Sequence, residues 1–159
     1  MNHLIVNGLV LPDLLTSMLQ DGRWRHPGDR VLAAFLPWFE DPLDFVTTVD
    51  GMRGETANLV RLAAHDAETF RIRRGARAAG AARTRAAEAV DLPWLDVDRA
   101  VVIAVNRRAG DDVLLALDYR TGTAEPRVVA ADVWTHPGGY EWRVVAASFA
   151  DVVDALGVG

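Results

Sequence analysis

Residues 101 to 105 read Val-Val-Ile-Ala-Val, an unbroken apolar run, and after the seven residues NRRAGDD (106–112) a second apolar stretch follows from Val113 to Tyr119. A continuous apolar run of this length reads as a strand covered on both faces. A link this short cannot carry a crossover to a parallel neighbour, so the two strands form an antiparallel hairpin. Any fold open to this chain is therefore built around an antiparallel sheet.

The flanking patterns supply the rest of the layout. Leu11, Leu14, Leu15 and Met18 share one helical face, Pro12 suits the first turn, and Asp21-Gly22 ends the run. A second helix is expected from Pro27-Gly28-Asp29 through Val31, Leu32, Phe35 and Leu36 to Pro37. A third is expected with Asp41 as N-cap, Pro42 at the first position, and Leu43, Phe45, Val46 and Val49 leading to Gly51; a fourth covers Glu55 to His65. Near Phe70 the period changes to two, with Phe70 and Ile72 alternating with Arg71 and Arg73. The alanine-rich stretch from Arg77 to Val90 reads either as a helix weakened by Gly75 and Gly80 or as a mobile loop.

Further strands are expected from Arg127 to Trp134 and from Trp142 to Ala147, each entered through a turn, at Thr121-Gly122-Thr123 and at His136-Pro137-Gly138-Gly139. Ser148 and Asp151 have capping-box spacing ahead of Phe149, Val152, Val153 and Leu156, which makes a closing helix. The expected class is α+β: N-terminal helices, then a mostly antiparallel sheet of about four to six strands, closed by a C-terminal helix, all in a single domain over residues 1–159.

Composition narrows the function classes. With no cysteine among 159 residues, thiolate catalysis, cysteine-zinc sites and iron-sulfur clusters are excluded. The opening MNHLIVNGLVLPDLL lacks a basic start and is broken by Asn7, Gly8, Pro12 and Asp13, so a soluble cytoplasmic chain with no membrane partner is expected. Charge is unevenly spread. Thr69 to Ala87 holds six arginines (Arg71, Arg73, Arg74, Arg77, Arg83, Arg85) and no acid, while the other 140 residues hold 11 arginines against 22 acids, a net −11. An acidic body favours basic partners, and the basic band is the one feature that would suit nucleic acid. That band lacks interleaved aromatics and any nucleic-acid fold signature, so a solvated face is the expectation.

Candidate chemistry is sparse. Asp111-Asp112 could bind a hard cation, but consecutive strand side chains diverge, and Gly110-Asp111-Asp112 is what a turn needs where φ is positive. The four histidines have no metal-ligand spacing; His136 beside Asp132 or Glu141 is the only acid-base arrangement in view, and a turn histidine explains it as well. Ser17 and Ser148 are the only serines, and Ser148 is already engaged as a cap. No enzyme and no cofactor is expected. Trp134 and Trp142 flank a turn and, with Asp111, Asp112, His136 and Glu141, are the candidate partner-contact residues.

The run Ala100-Val-Val-Ile-Ala-Val105, the turn Gly110-Asp111-Asp112, the strand ending Leu117-Asp118-Tyr119, the Pro-Arg-Val-Val strand, the aromatic turn ending in Trp142 and the helix opening Ala147-Ser148-Phe149 together resemble the SUKH superfamily, the bacterial immunity proteins related to the fungal SMI/KNR cell-wall regulators. Asp41-Pro42-Leu43-Asp44-Phe45 is similar to the acidic-Pro-Leu-x-Phe segment of its early helices. The resemblance is strongest over 94–156, and the 75–90 insert is less typical of it. It implies a scaffold without an active site that binds and neutralises a protein toxin, often a basic nuclease. It marks Gly110, Asp111, Leu117, Asp118, Tyr119, Ser148 and Phe149 as motif positions of the scaffold. A regulatory role on the same scaffold is the alternative, and homodimerisation stays open.

Overall fold

In the computed structural model, which describes residues 2–75, 91–132 and 140–159, the central hairpin is formed as its spacing requires. The first elements are a short hairpin, β1 (Ile5–Val6) and β2 (Leu9–Val10), then α1 (Asp13–Asp21), α2 (Asp29–Phe35), β3 (Leu43–Phe45), α3 (Val49–Ala63) and α4 (Ala67–Phe70). They are followed by β4 (Ile72–Arg73), β5 (Leu95–Asp96), a 3-10 turn (Val97–Arg99), β6 (Ala100–Asn106), β7 (Val113–Asp118), β8 (Arg127–Asp132), β9 (Arg143–Ala146) and α5 (Phe149–Leu156). Five strands make an antiparallel sheet in the order β3-β6-β7-β8-β9. The fold is α+β.

Both faces of the sheet are buried. Val101, Ile103, Val113, Leu115, Leu117, Val128 and Ala130 face a core completed by Leu15, Met18, Leu32, Phe149, Val152 and Val153 of α1, α2 and α5. Ala100, Val102, Ala116, Val129 and Ala131 face a second core with Leu59 of α3, Ile72, Leu95, Val97, Tyr140 and Trp142. The alternating assignment of 100, 101, 102 and 103 is the two-residue period of a pleated strand. A register shift between Val102 and Ala104 then carries Ala104 into the first core. Trp24 stacks on Phe45 at 4.2 Å between ring centres and meets Phe149 edge-on at 5.2 Å, tying the exit of α1 to β3 and α5.

Four expectations need correction or refinement. The helix expected over Asp41–Gly51 is not formed: Leu43 and Phe45 are buried with Asp44 exposed between them, and the segment pairs with β6 through Leu43↔Asn106, Asp44↔Val105 and Phe45↔Ala104. Pro42 is tolerated because it lies just before an edge strand. The next helix starts at Val49, capped by the Thr48 side chain accepting from the Gly51 N–H, and runs unbroken through Gly51 and Gly54 to Ala63. Gly51 is there for space rather than as a stop, since a Cβ would sit 2.9 Å from both Thr48 Oγ1 and Val46 Cγ1. Third, the strand expected from Phe70 begins only at Ile72, because Phe70 ends α4; β4 then pairs in parallel with β5. Finally, Asn7-Gly8 is more than a break in an apolar run: with φ of 56° and 72° it is the turn of the β1–β2 hairpin. The stretch Arg77 to Val90 lies outside the described residues, as do Trp134, His136 and the end of the strand expected to reach Trp134.

The motif positions of the closing half act structurally. Tyr119 donates its hydroxyl to the Val10 carbonyl at 2.8 Å, joining β7 to the N-terminal hairpin. Ser148 accepts from the Asp151 N–H as N-cap of α5. Among the described residues, no helix is long and apolar enough to cross a membrane.

Asp118 is fully buried and held by Arg120 at 2.9 Å and Arg127 at 2.8 Å. Burial alone would push its carboxyl up, but the hydrogen bonds and charge of Arg120, with Arg127, outweigh burial and leave it below the ordinary carboxylate range. Asp118→Asn leaves two arginines facing a neutral group and is expected to cost about 3 kcal/mol at neutral pH, read by urea denaturation. Because the folded pKa is depressed, the contribution of Asp118 is complete above the ordinary carboxylate range and is lost as pH falls through the folded value. Parent and variant should converge in stability in acid.

Candidate functional site

The order β3-β6-β7-β8-β9 brings the start of β3, the β6–β7 turn, the end of β8 and the start of β9 to one end of the sheet. Residues that are far apart in the chain meet there: Glu40 and Asp41 before β3, Asp111 and Asp112 in the turn, Asp132 at the end of β8, and Tyr140 and Glu141 before β9. The end is acidic because each of these strand termini carries an acid in or beside it.

Turn geometry sets the positions of the two aspartates. Gly110 has φ 87° and Asp112 φ 53°, and the Asp111 N–H donates to the Arg108 carbonyl. These are left-handed conformations that glycine adopts freely and aspartate tolerates, which accounts for both residue types. Their carboxylates serve different neighbours. Asp112 lines a small pocket with Tyr140 and Asn106, whereas Asp111 adds its charge to that of Asp132 and Glu40 around Asp41. Among the described residues, no group of three or more histidine, cysteine, aspartate or glutamate side chains could hold a metal ion.

The acids at this end are poorly neutralised. Burial, then the charges of Asp111, Asp132 and Glu40, raise the Asp41 carboxyl above its ordinary value, with only Arg108 opposing them. Burial and then Asp111 raise Asp112. The Asp111 Oδ2 atom is buried with no hydrogen-bond donor, and so is the Tyr140 hydroxyl with no partner. Buried carboxylate oxygens are ordinarily paired, so an orphan at a chain turn marks stored electrostatic cost. Asp132 differs in that its carboxylate accepts from the Glu40 N–H at 3.2 Å, which ties the segment before β3 to the end of β8.

Arg107 closes one flank. It donates to Asp44 at 2.8 Å and to Asp29 at 3.0 Å, lies 3.1 Å from His26 Nε2, and so latches α2 to β3 and to the turn. Its hydrogen bond is the main cause that holds the Asp29 carboxyl below its ordinary value. With Arg107 engaged in this way, a cleft of about 330 Å³ is left between α2 and the segment before β3, floored by Leu32, Leu36 and Phe39 and rimmed by Glu40, Asp41 and Arg108.

Other candidates from the sequence fall elsewhere. Trp142, put forward as a contact residue, is 2% exposed and donates its indole N–H to the Phe70 carbonyl, so it belongs to the core. Glu141 is half-buried and pairs with Arg71 at 3.3 Å. In the basic band, Arg73 pairs with Glu68 and lies over the Trp94 ring, and Arg74 pairs with buried Asp98. Each of the band's three described arginines therefore faces an acid; Arg77, Arg83 and Arg85 lie outside the described residues. Glu40, Asp41 and Tyr140 were not anticipated as members of a common site, and Asp132 was anticipated only as an acid beside His136, since sheet order makes these residues neighbours.

A raised carboxyl destabilises the folded state above its folded pKa, and that cost disappears below the unfolded value, where both states are protonated. Asp112→Asn keeps a residue that tolerates φ 53° and removes the charge. It is expected to raise the urea midpoint at pH 7 by an amount below about 1 kcal/mol, with the gain vanishing below the ordinary carboxylate range. Tyr140→Phe removes the orphaned hydroxyl and should stabilise at every pH by up to about 1 kcal/mol.

In comparisons with protein-family models, curated proteins and solved structures, nothing matches this chain.

Proposed function

We propose that this chain is a non-catalytic protein-binding module, an immunity protein that neutralises a basic, nuclease-type bacterial toxin in the cytoplasm by covering its active surface with the acidic end of the sheet. The observation that carries this reading is the crowding of Asp111, Asp132 and Glu40 around Asp41, beside an Asp111 carboxylate oxygen that is buried without a donor. A partner presenting arginine or lysine supplies the missing donors and relieves the mutual repulsion, so association is favoured both by steering at long range and by pairing at contact. The resemblance of residues 94–156 to the SUKH immunity proteins points the same way. The pairing of Arg71, Arg73 and Arg74 with acids weighs against a nucleic-acid surface on that side.

The deciding experiment is co-expression with a toxin, to be sought among the products of neighbouring genes. Relief of lethality is expected, and persistence of killing by a toxin that is expressed and active would refute the pairing. In vitro, the combined substitutions Glu40→Gln, Asp41→Asn and Asp111→Asn should slow association about tenfold at low ionic strength and flatten its salt dependence. An unchanged association rate would remove the acidic end from the interface.

A further inference from the structure

On the other side of the β6–β7 turn from Asp41, a pocket of about 110 Å³ opens between α3 and the sheet. Its size is well below the roughly 300–1,000 Å³ of sites for drug-sized ligands, so it suits one side-chain head group and the methylenes next to it. Leu59, Leu62 and Phe70 supply apolar lining, and besides Asp112 and Tyr140 the polar lining residues are Glu55, Asn58 and Asn106.

Among the described residues, no arginine lines this pocket. Burial and Asp111 both work against the Asp112 charge, and no cation offsets them. Tyr140 is 1% exposed, its hydroxyl has no partner, and it lines the same pocket as Asp112, whose charge together with that of Asp132 adds to burial in raising its pKa. Two independent features thus coincide: a carboxylate without a counter-charge, and a buried hydroxyl without a hydrogen-bond partner. The walls match an alkyl stem, the floor a multivalent cationic donor.

We infer that this pocket is the receptor for a single arginine side chain of the partner protein, the guanidinium bonded to Asp112 and Tyr140 and the methylenes packed on Leu59, Leu62 and Phe70. The inference rests on the protein-binding reading above and specifies its anchor. Arginine fits better than lysine because its planar fork presents several donors at once, which lets it reach a carboxylate and a hydroxyl together. Desolvated arginine anchors of this kind carry a disproportionate share of interface energy.

The test uses the whole chain and N-acetyl-arginine amide as the probe, followed by amide chemical shifts in ¹⁵N-labelled protein. Saturable shifts are expected at Asn106, Asp112, Leu114 and Tyr140, with the neutral analogue N-acetyl-citrulline amide binding at least about tenfold more weakly. Asp112→Asn should weaken the probe by at least about tenfold, and Tyr140→Phe by several-fold, while both variants keep the parent's dispersed spectrum. Absence of saturable shifts at these positions, or equal binding of the citrulline analogue, would overturn the assignment. That failure is separable from failure of the protein-binding reading, because the latter is decided by the salt dependence of partner association through Glu40, Asp41 and Asp111, which do not line this pocket.

Discussion

The two-sided burial of β6 and β7 is the constraint on which the rest of the structure depends. Ala100 to Ala104 and Leu115 to Leu117 are fully shielded from solvent, so apolar surface must be supplied to both faces of one hairpin. α1, α2 and α5 meet this demand on one side, and α3 with the β4–β5 corner and Trp142 on the other. Once those layers are in place, only short strands are left at the edges, and the loops are driven to the two ends of the sheet.

The two ends treat carboxylates in opposite ways. At one end, fully buried Asp118 sits between Arg120 and Arg127, a satisfied pair that holds the β7–β8 connection to the strands it joins. At the other, Asp41, Asp111 and Asp112 lie close together, Arg108 opposes the crowding at Asp41, and Arg107 is occupied by Asp29 and Asp44. A fold can afford unneutralised acids only where they remain partly open to water, and these three are half-exposed. The satisfied ion pairs and the proposed binding surface therefore lie at separate ends of the same sheet, so substitutions that alter one can leave the other intact.

Legibility in the sequence follows how local each signal is. The β6–β7 hairpin, the Ser148 cap and α1 rest on contacts within a few residues, and periodicity, turn chemistry and capping reveal them. β3 was hidden because Asp41-Pro42 is a good helix start; it becomes a strand only because β6 offers an open edge at Leu43, Asp44 and Phe45. Likewise Gly51 looks like a helix stop, and its actual role, making room for Thr48 and Val46, is a packing fact. Of the site, Asp111 and Asp112 stood out as an acidic pair in a turn. Glu40, Asp41 and Tyr140 did not, and Asp132 stood out only as an acid near His136, since up to 100 residues separate the members of this group along the chain. Trp142 illustrates the converse, a residue whose place beside a turn suggested exposure while its indole N–H is held by Phe70 inside the second core.

By itself the sequence determined the class of fold, the central hairpin, the turn that needs Gly110 and Asp112 at positive φ, and the acidic character of everything outside one arginine band. These depend on short-range sterics and on net charge, which one chain read in order contains. Which acids stand together, which arginine is spent in a latch, and which hydroxyl is left without a partner were decided only by tertiary structure. The reason is physical: electrostatic energy and pocket shape depend on distances through space, and strand order sets those distances between residues that the sequence keeps far apart.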